Sequence, residues 1–306
     1  MSRIDRIYVA AHRGDLRLTR ICIASVRTWY PEIPIFLLKD EVGGTFCTRE
    51  IEEVWNVRLL PTAEHIFGWG FIKLEPLFDA ERIRYLMLDS DIVFLGRVID
   101  ALEKFATDFV VQGELQPAQD VAPLYFDAAK IRHSFNPRFS GPAFTFNSGQ
   151  YVATSGLISR KDFGDLVVWS EPRRVRYAEM FNPGDQGVLN YVVNERCAAG
   201  TLSVARTPFM KWGREEMAEF DVAALGDASP YPFVIHWAGL KKVRLGQMLR
   251  ADILRHFERA YYSRIANGFA RRRLRIVRSE AERWRSRGVR LMGKITGRVS
   301  SSLGHT

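Results

Sequence analysis

Cysteine is scarce in this sequence of 306 residues. There are three cysteines and no Cys-x-x-Cys pair, so neither a disulfide framework nor a thiolate zinc site is indicated. No run reaches about 18 consecutive apolar residues, and we therefore expect no transmembrane helix. The amino-terminal residues lead into an apolar stretch without the long hydrophobic region of a signal peptide, which favours a cytoplasmic protein. No internal repeat is present.

Positive charge is plentiful, and it is concentrated at one end of the chain. The net charge is +9, from 44 Lys and Arg against 35 Asp and Glu. Residues 263–306 hold twelve of the basic residues and two of the acidic ones, which leaves residues 1–262 close to neutral. This asymmetry predicts a main domain over 1–262 and a basic tail over 263–306 that binds an anionic partner.

The composition of the tail favours a membrane surface as that partner. Apolar residues recur every four positions over 245–264, which predicts an amphipathic helix, and Val277, Trp284 and Leu291 follow at heptad spacing among arginines. A basic amphipathic segment with Trp and Leu is typical of an anchor on anionic lipid. A solvated disordered tail and a nucleic-acid patch are the alternatives. The neutral charge of residues 1–262 argues against nucleic acid.

Strand-like and helix-like stretches alternate near the start of the chain. Strands are predicted at 6–11, 33–38 and 57–60, with helices at 16–29 and 47–55 between them. This alternation predicts an α/β fold, with a mixed, mostly parallel sheet flanked by helices. Ligands of such sheets bind beyond the carboxyl ends of the strands, where residues 12–15 and 89–91 would both lie.

The pattern becomes less regular further along the chain. We expect helices at 71–78, 98–105 and 161–170, strands at 108–112 and 233–239, and a helix that opens at 182–186. Residues 113–140 show little periodicity and contain three prolines, which predicts a long irregular excursion.

The stretch Arg84–Leu95 carries the strongest chemical signal. A hydrophobic run ends in Asp89-Ser90-Asp91 and a second apolar run follows, which predicts a buried strand with two carboxylates at its end. Residues two apart in a strand point the same way, so Asp89 and Asp91 would converge. Neighbouring buried carboxylates repel each other unless a cation compensates, which favours a divalent metal that holds a phosphate. Two solvated aspartates in a turn are the alternative.

Three later stretches form a set with Leu88–Asp91, namely Phe146–Gly149, Asp185-Gln186 and His236–Lys242. In this order the set resembles the retaining glycosyltransferases of family 8, the glycogenin-like and bacterial lipopolysaccharide galactosyl- and glucosyltransferase group, which has the Rossmann-like GT-A fold. The resemblance spans about residues 6–242. A glycine and a lysine stand three and six residues after the histidine, as in that family, although Val243 replaces the proline that usually follows the lysine.

The resemblance implies a role for each matching residue. It implies Mn²⁺, with Mg²⁺ as the alternative, as the ion bound by Asp89, Asp91 and His236. It implies donor contacts from Ala11, His12, Asp15, Lys73, Asp89, Ser90, Asn147, Ser148, Gly239 and Lys242. Asp185 and Gln186 are implied to be catalytic, with Gln186 nearest the anomeric carbon. We expect Lys241 to be a solvated neighbour of this set.

Several of these residues also have a simpler structural interpretation. Asp185 stands where a helix cap would, Lys73 suits an exposed helix position, and His236 alone would suit a packed core. Only the ordered combination favours the functional interpretation.

Taken together, the resemblance implies metal-dependent transfer of a hexose with retention. The donor would be a nucleotide sugar, UDP-glucose or UDP-galactose, and the acceptor a saccharide or glycolipid in cell-surface polysaccharide or lipopolysaccharide synthesis. No additional carboxylate nucleophile is evident, which favours front-face substitution over a covalent intermediate. The expected location is cytoplasmic and peripheral to the inner face of the membrane. A non-catalytic sugar-nucleotide-binding or membrane-tethered scaffold of the same fold is the alternative.

Overall fold

A seven-stranded mixed sheet forms the centre of the fold. The computed structural model describes residues 2–68, 70–113, 117–213, 220–225, 229–241, 243–278 and 280–281. The strands in chain order are β1 (Arg6–His12), β2 (Ile35–Asp40), β3 (Val57–Leu59), β4 (Arg84–Asp89), β5 (Ile92–Phe94), β6 (Phe109–Gln112), β7 (Gln150–Thr154), β8 (Val167–Val168), β9 (Arg174–Val175), β10 (Val204–Thr207), β11 (Met210–Trp212) and β12 (Val234–His236). The central sheet has the order β10-β6-β7-β4-β1-β2-β3. All of its pairs are parallel except those of β7, which runs antiparallel to β4 and β6.

Seven α-helices accompany these strands among the described residues. They are α1 (Leu16–Trp29), α2 (Arg49–Trp55), α3 (Val98–Leu102), α4 (Ala118–Leu124), α5 (Ala128–Ser134), α6 (Asp185–Ala198) and α7 (Ala251–Ser263). In α1, apolar side chains at helical spacing are buried, and the helix ends at Trp29, just before the Tyr30-Pro31 step. Among the helices that the structure describes, none combines the length and apolar character needed to cross a bilayer.

The strand β4 lies at the middle of the sheet. Tyr85, Leu86, Met87 and Leu88 are each at most 1% exposed, because both faces of the strand are covered. Double coverage explains why the sequence shows a continuous hydrophobic run here and no alternation. The carboxyl end of this buried strand carries Asp89.

A second sheet of three strands, β11-β12-β5, brings a distant part of the chain to this point. β12 runs antiparallel to β5, with His236 opposite Ile92. The backbone N–H of Trp237 donates to the carbonyl of Asp91 at 3.0 Å. Strand pairing therefore places His236 beside Asp91, although 145 residues separate them in sequence.

Four local predictions are wrong. Ser90 and Asp91 form a turn, so Asp89 and Asp91 do not converge through strand alternation. The stretch 113–140 contains two helices: α4 tolerates Pro123, and α5 begins where the Asp127 carboxylate accepts from the N–H groups of Ala129 and Lys130. The helix predicted at 161–170 is a 3₁₀ turn followed by β8. The helix predicted over 245–264 is a 3₁₀ turn at Leu245–Gln247 and then α7.

The chain divides into two compact units, Met1–Glu258 and Arg259–Thr306. The first contains both sheets described above. The second contains the end of α7 and further helical residues at 268–278. Three apolar side chains of the helical segment 268–278 are exposed, namely Phe269, Leu274 and Val277. Trp284 and Leu291, which complete the predicted heptad pattern, lie outside the described residues, and a domain boundary at 262 remains a prediction.

Candidate functional site

The polar residues of the predicted set meet at one edge of the central sheet. The carboxyl ends of β1, β2 and β4 lie there because these strands are parallel. The loop Asn147–Gly149 joins them because β7, which it precedes, is antiparallel to β4. The N–H of Asp89 donates to the carbonyl of Gly149 at 2.6 Å and fixes this junction. A cavity of about 880 Å³ opens at this edge.

Most of the predicted site residues line this cavity. They are Ala11, His12, Asp15, Lys73, Asp89, Asp91, Asn147, Ser148, Asp185, Gln186, His236 and Gly239. Ser90 is buried instead, and its hydroxyl lies 3.3 Å from Asp15 Oδ2. Lys242 lies outside the described residues, so its proposed contact with the donor stays a prediction.

Asp89, Asp91 and His236 form a cluster with the spacing of metal ligands. One potential ligand atom from each lies within 4.8 Å of the others. His236 Nε2 is 3.2 Å from Asp91 Oδ1 and 3.8 Å from Asp89 Oδ2. Asp91 and His236 are 1% and 2% exposed, so their polar atoms have little access to water.

Two members of this cluster, Asp91 and His236, have buried polar atoms without hydrogen-bond partners among the described residues. Within the described part of the chain, neither carboxylate oxygen of Asp91 nor either ring nitrogen of His236 makes a hydrogen bond. A buried polar group without a partner is costly, and each such group in a folded protein calls for an explanation. Carboxylate oxygens with an imidazole nitrogen are suitable ligands for Mn²⁺, and for Mg²⁺ to a lesser degree. The donor set therefore fits a divalent cation.

Because Gly149 has no side chain, its backbone can lie close to both His236 and Asp89. A Cβ on this residue would lie 2.5 Å from His236 Cε1 and 2.8 Å from Asp89 Oδ2. Its N–H donates to Asn147 Oδ1 at 2.7 Å, which holds the loop against the cluster. The ring of Trp212 stacks on His236 with centroids 5.7 Å apart. The imidazole therefore packs against an indole and approaches the backbone of Gly149 closely.

Lys73 joins two carboxylates beneath the cavity. Its Nζ lies 3.3 Å from Asp89 Oδ1 and 3.1 Å from Asp185 Oδ2, and it also contacts the carbonyl and hydroxyl oxygens of Ser148. The lysine is 4% exposed, which rules out the interpretation as a surface lysine. Burial opposes its charge, but Asp185 and Asp89 outweigh burial and raise the pKa of Lys73. The lysine is therefore a fixed buried cation.

The pKa values of the two carboxylates that contact Lys73 shift in opposite directions. Burial alone would raise the pKa of Asp89, but Lys73, Lys241 and His236 outweigh burial and hold that pKa below its ordinary value. For Asp185, burial outweighs the attraction of Lys73, and the pKa is raised. Asp185 is the first residue of α6, whose N-cap is Gly184, so Asp185 does not act as the cap. Its side chain faces the cavity and Lys73.

Gln186 connects the loop before β7 to the carboxyl end of α4. Its Oε1 accepts from the N–H of Ser148 at 3.2 Å, and its Nε2 donates to the carbonyl of Leu124 at 3.1 Å. Two further residues on α6, Asn190 and Asn194, were not predicted to support the site. Asn190 exchanges hydrogen bonds with the backbone of Phe146, and Asn194 bonds the backbone of Ala143 and Phe144. The available signal was the recurrence of side-chain amides every four residues, at 186, 190 and 194, on one face of this helix.

Two more residues, Lys241 and Asp40, contribute contacts at the site that were not predicted from the sequence. Lys241 Nζ lies 3.2 Å from Asp15 Oδ2 and 3.8 Å from Asp91 Oδ1, so the expectation of a solvated neighbour is wrong. Asp40 is buried and accepts from the N–H groups of Val42, Phe67 and Gly68. It ties the end of β2 to the segment before Lys73.

Comparison with solved structures identifies the fold. No protein-family model matches the sequence, and no curated protein matches it. The structure is similar to the bifunctional glycosyltransferase WbbM, with a TM-score of 0.52 and 13% identity over 85% of this chain. It is also similar to the glycosyltransferase GlyE of Streptococcus pneumoniae TIGR4, with a TM-score of 0.51 and 13% identity over 82% of this chain. The fold is that of the GT-A glycosyltransferases.

The GT-A similarity extends over most of this chain but over less of the known proteins. The matched regions cover 50% of the WbbM chain and 60% of the GlyE chain. The predicted fold class is confirmed, because the structure has the expected mixed, mostly parallel sheet flanked by helices. At this level of identity the similarity establishes the fold alone, and the chemistry has to be argued from the residues of the site.

Proposed function

We propose that this protein is a metal-dependent retaining glycosyltransferase of the family 8 type. It would move a hexose from UDP-glucose or UDP-galactose to a saccharide or glycolipid acceptor, in the synthesis of cell-surface polysaccharide or lipopolysaccharide. The observation that carries this proposal is the Asp89-Asp91-His236 cluster, which lines a cavity in a GT-A fold. Among the described residues, the buried side chains of Asp91 and His236 have polar atoms without hydrogen-bond partners.

The chain supplies a suitable environment for such a donor. Asp89, Asp91 and His236 would hold Mn²⁺ or Mg²⁺, which as a Lewis acid stabilises the charge of a departing diphosphate. Lys73 keeps Asp89 ionised and oriented. The positive φ of Gly239, 72°, gives a tight backbone turn at the cavity wall, close to where phosphates would bind.

The opposite wall carries groups suited to sugar hydroxyls. Asp185, Gln186 and Asn147 line the cavity and present carboxylate and amide groups. The Gln186 amide is a poor nucleophile and is held by Ser148 and Leu124, which supports front-face substitution. In that reaction the acceptor oxygen bonds to the anomeric carbon, the bond to the diphosphate breaks, and the acceptor proton passes to the departing phosphate.

The proposed location is the cytoplasmic face of the membrane. The helical residues 268–278 expose Phe269, Leu274 and Val277 among five arginines. Apolar and basic side chains on one short segment support binding to an anionic lipid surface. Nucleic acid is a poorer fit, because residues 1–262 are near neutral.

A thermal-shift screen tests the function. UDP-hexoses with Mn²⁺ should raise the melting temperature more than GDP-hexoses with Mn²⁺ or UDP-hexoses in EDTA, because ligands that bind only the folded state stabilise it. Asp91→Ala should lose both the shift and the transfer activity while it remains folded. Asp100→Ala, which removes an exposed carboxylate on α3, is the matched control and should keep both. Near-normal transfer by Asp91→Ala in EDTA would exclude the metal-dependent mechanism.

A further inference from the structure

Lys241 places a positive charge beside the proposed metal ligands. Its Nζ is 3.8 Å from Asp91 Oδ1, the same oxygen that lies 3.2 Å from His236 Nε2. The ammonium group of Lys241 therefore lies within ion-pair distance of an oxygen that belongs to the proposed ligand set.

Asp15 gives the same lysine a second partner. Asp15 Oδ2 lies 3.2 Å from Lys241 Nζ, and the Ser90 hydroxyl donates to it at 3.3 Å. Asp15 is buried, but it does not belong to the cluster of potential metal ligands. A lysine with two carboxylate partners can give up one of them to an incoming ion and still keep its charge compensated by the other.

The two lysines of the site differ in their freedom to move. The side chain of Lys73 is 6% exposed and bridges Asp89 and Asp185, so its position is fixed by the residues around it. The side chain of Lys241 is 34% exposed. The residue itself lies in a turn, five residues after the end of the short strand β12. A lysine ammonium is a compact point charge on a flexible stem, and a small displacement takes it away from Asp91.

We propose that Lys241 is an internal competitor of the divalent cation, which compensates Asp91 in the metal-free protein and withdraws to Asp15 when the metal binds. This inference rests on the proposed metal site. It makes Lys241 a residue that sets metal affinity and stabilises the metal-free protein. Lys241 is not a catalytic residue in this scheme.

Calorimetric titration of Mn²⁺ into the nucleotide-free full chain tests the proposal. Lys241→Gln can still donate a hydrogen bond to Asp15 but lacks the charge, and it should bind Mn²⁺ at least tenfold more tightly than the wild type. Lys241→Arg keeps the charge and should bind within about twofold of the wild type. Lys130→Gln removes an exposed lysine on α5 that does not line the cavity, and it should not change the affinity.

Melting curves give a second readout that does not depend on activity. In EDTA, Lys241→Gln should melt at a lower temperature than the wild type, because Asp91 is left uncompensated. Mn²⁺ should raise its melting temperature by more than it raises that of the wild type. If the variant unfolds in EDTA but folds in Mn²⁺, the proposal is supported in its strongest form.

The outcomes separate this proposal from the proposed function. If the wild type binds Mn²⁺ and Lys241→Gln binds it equally or more weakly, Lys241 is no competitor and this inference alone fails. Loss of UDP affinity in EDTA with unchanged Mn²⁺ affinity would make Lys241 a phosphate ligand and would also overturn it. If neither protein binds Mn²⁺, the metal site itself is wrong and both proposals fail. Unfolding of the variant in EDTA and in Mn²⁺ alike would assign Lys241 a purely structural role.

Discussion

Gly149 has no room for a side chain beside the proposed metal ligands. A methyl group there would meet His236 Cε1 at 2.5 Å and Asp89 Oδ2 at 2.8 Å, well inside van der Waals contact. Both neighbours are held by their own strands, β12 and β4, and cannot both retreat. The absence of a side chain at this position is therefore a requirement of the ligand geometry.

We predict that Gly149→Ala weakens Mn²⁺ binding by about 10- to 100-fold, the range for changes beside metal ligands. Calorimetric titration measures this loss directly. Gly43→Ala is the control, since the nearest atom to a Cβ at that position is 3.9 Å away. Unchanged Mn²⁺ affinity in folded Gly149→Ala would show that Asp89 and His236 do not act together on the ion.

The residues whose meeting at the cavity could be predicted from the sequence are those with a local pattern. Asp89 and Asp91 follow a hydrophobic run that had to be a buried strand, and His236 stands at a recognisable distance from Gly239. The sequence could not show which of the two lysines, Lys73 or Lys241, is buried, because the environment of a lysine depends on the residues that pack around it. Lys73 is enclosed by Asp185 and Ser148, and Lys241 meets Asp15, residues far away in sequence.

At the scale of elements, α6 sets the position of the loop before β7. The Asn190 amide accepts from the N–H of Phe146 and donates to its carbonyl, each at 2.8 Å. One helical turn further, Asn194 accepts from the N–H of Ala143 at 2.8 Å and donates to the carbonyl of Phe144 at 3.0 Å. Side-chain amides thus replace the neighbouring strand that this extended segment lacks, and Asn147 and Ser148 follow directly from it.

We predict that Asn190→Leu destabilises the protein by about 1–3 kcal/mol, because it leaves buried backbone groups of Phe146 without partners. Urea unfolding measures this loss, and UDP-hexose affinity should fall at least tenfold in the same variant. Asn194→Leu is the matched comparison, with a similar loss of stability but a smaller loss of affinity, since it acts farther from Asn147. Equal affinity losses in the two variants would mean that the whole helix has shifted.

The elements that were predicted correctly are those with clear periodicity and clear ends. The helix α1, with Tyr30-Pro31 after it, and the buried strand β4 are examples. The stretch 113–140 was misjudged because a proline inside α4 suggested a break in a helix. Conversely, Lys161–Ser170 was predicted as a helix, but Val167 and Val168 pair with β9. The preference of β-branched residues for strands agrees with this pairing. In α4, by contrast, a helix forms although it contains a proline.

At the scale of the whole molecule, the excess positive charge and the candidate site belong to different units of the chain. The site belongs to the unit Met1–Glu258, and the tail arginines belong to the unit that begins at Arg259. Near a membrane that carries anionic lipid, each basic residue contributes about 1 kcal/mol. Membrane binding and sugar transfer should therefore be separable.

A chain ended at Ser263 tests this separation, because it keeps α7 whole and removes all of the tail arginines. We predict that it no longer sediments with vesicles containing anionic lipid but still transfers sugar to a soluble acceptor. Replacing Arg271, Arg272 and Arg273 with Gln in the full chain should weaken vesicle binding by about a hundredfold, since three contributions of about 1 kcal/mol are lost. Equal vesicle binding by the shortened chain would place the lipid-binding surface on the first unit. In that case the tail charge would need another anionic partner.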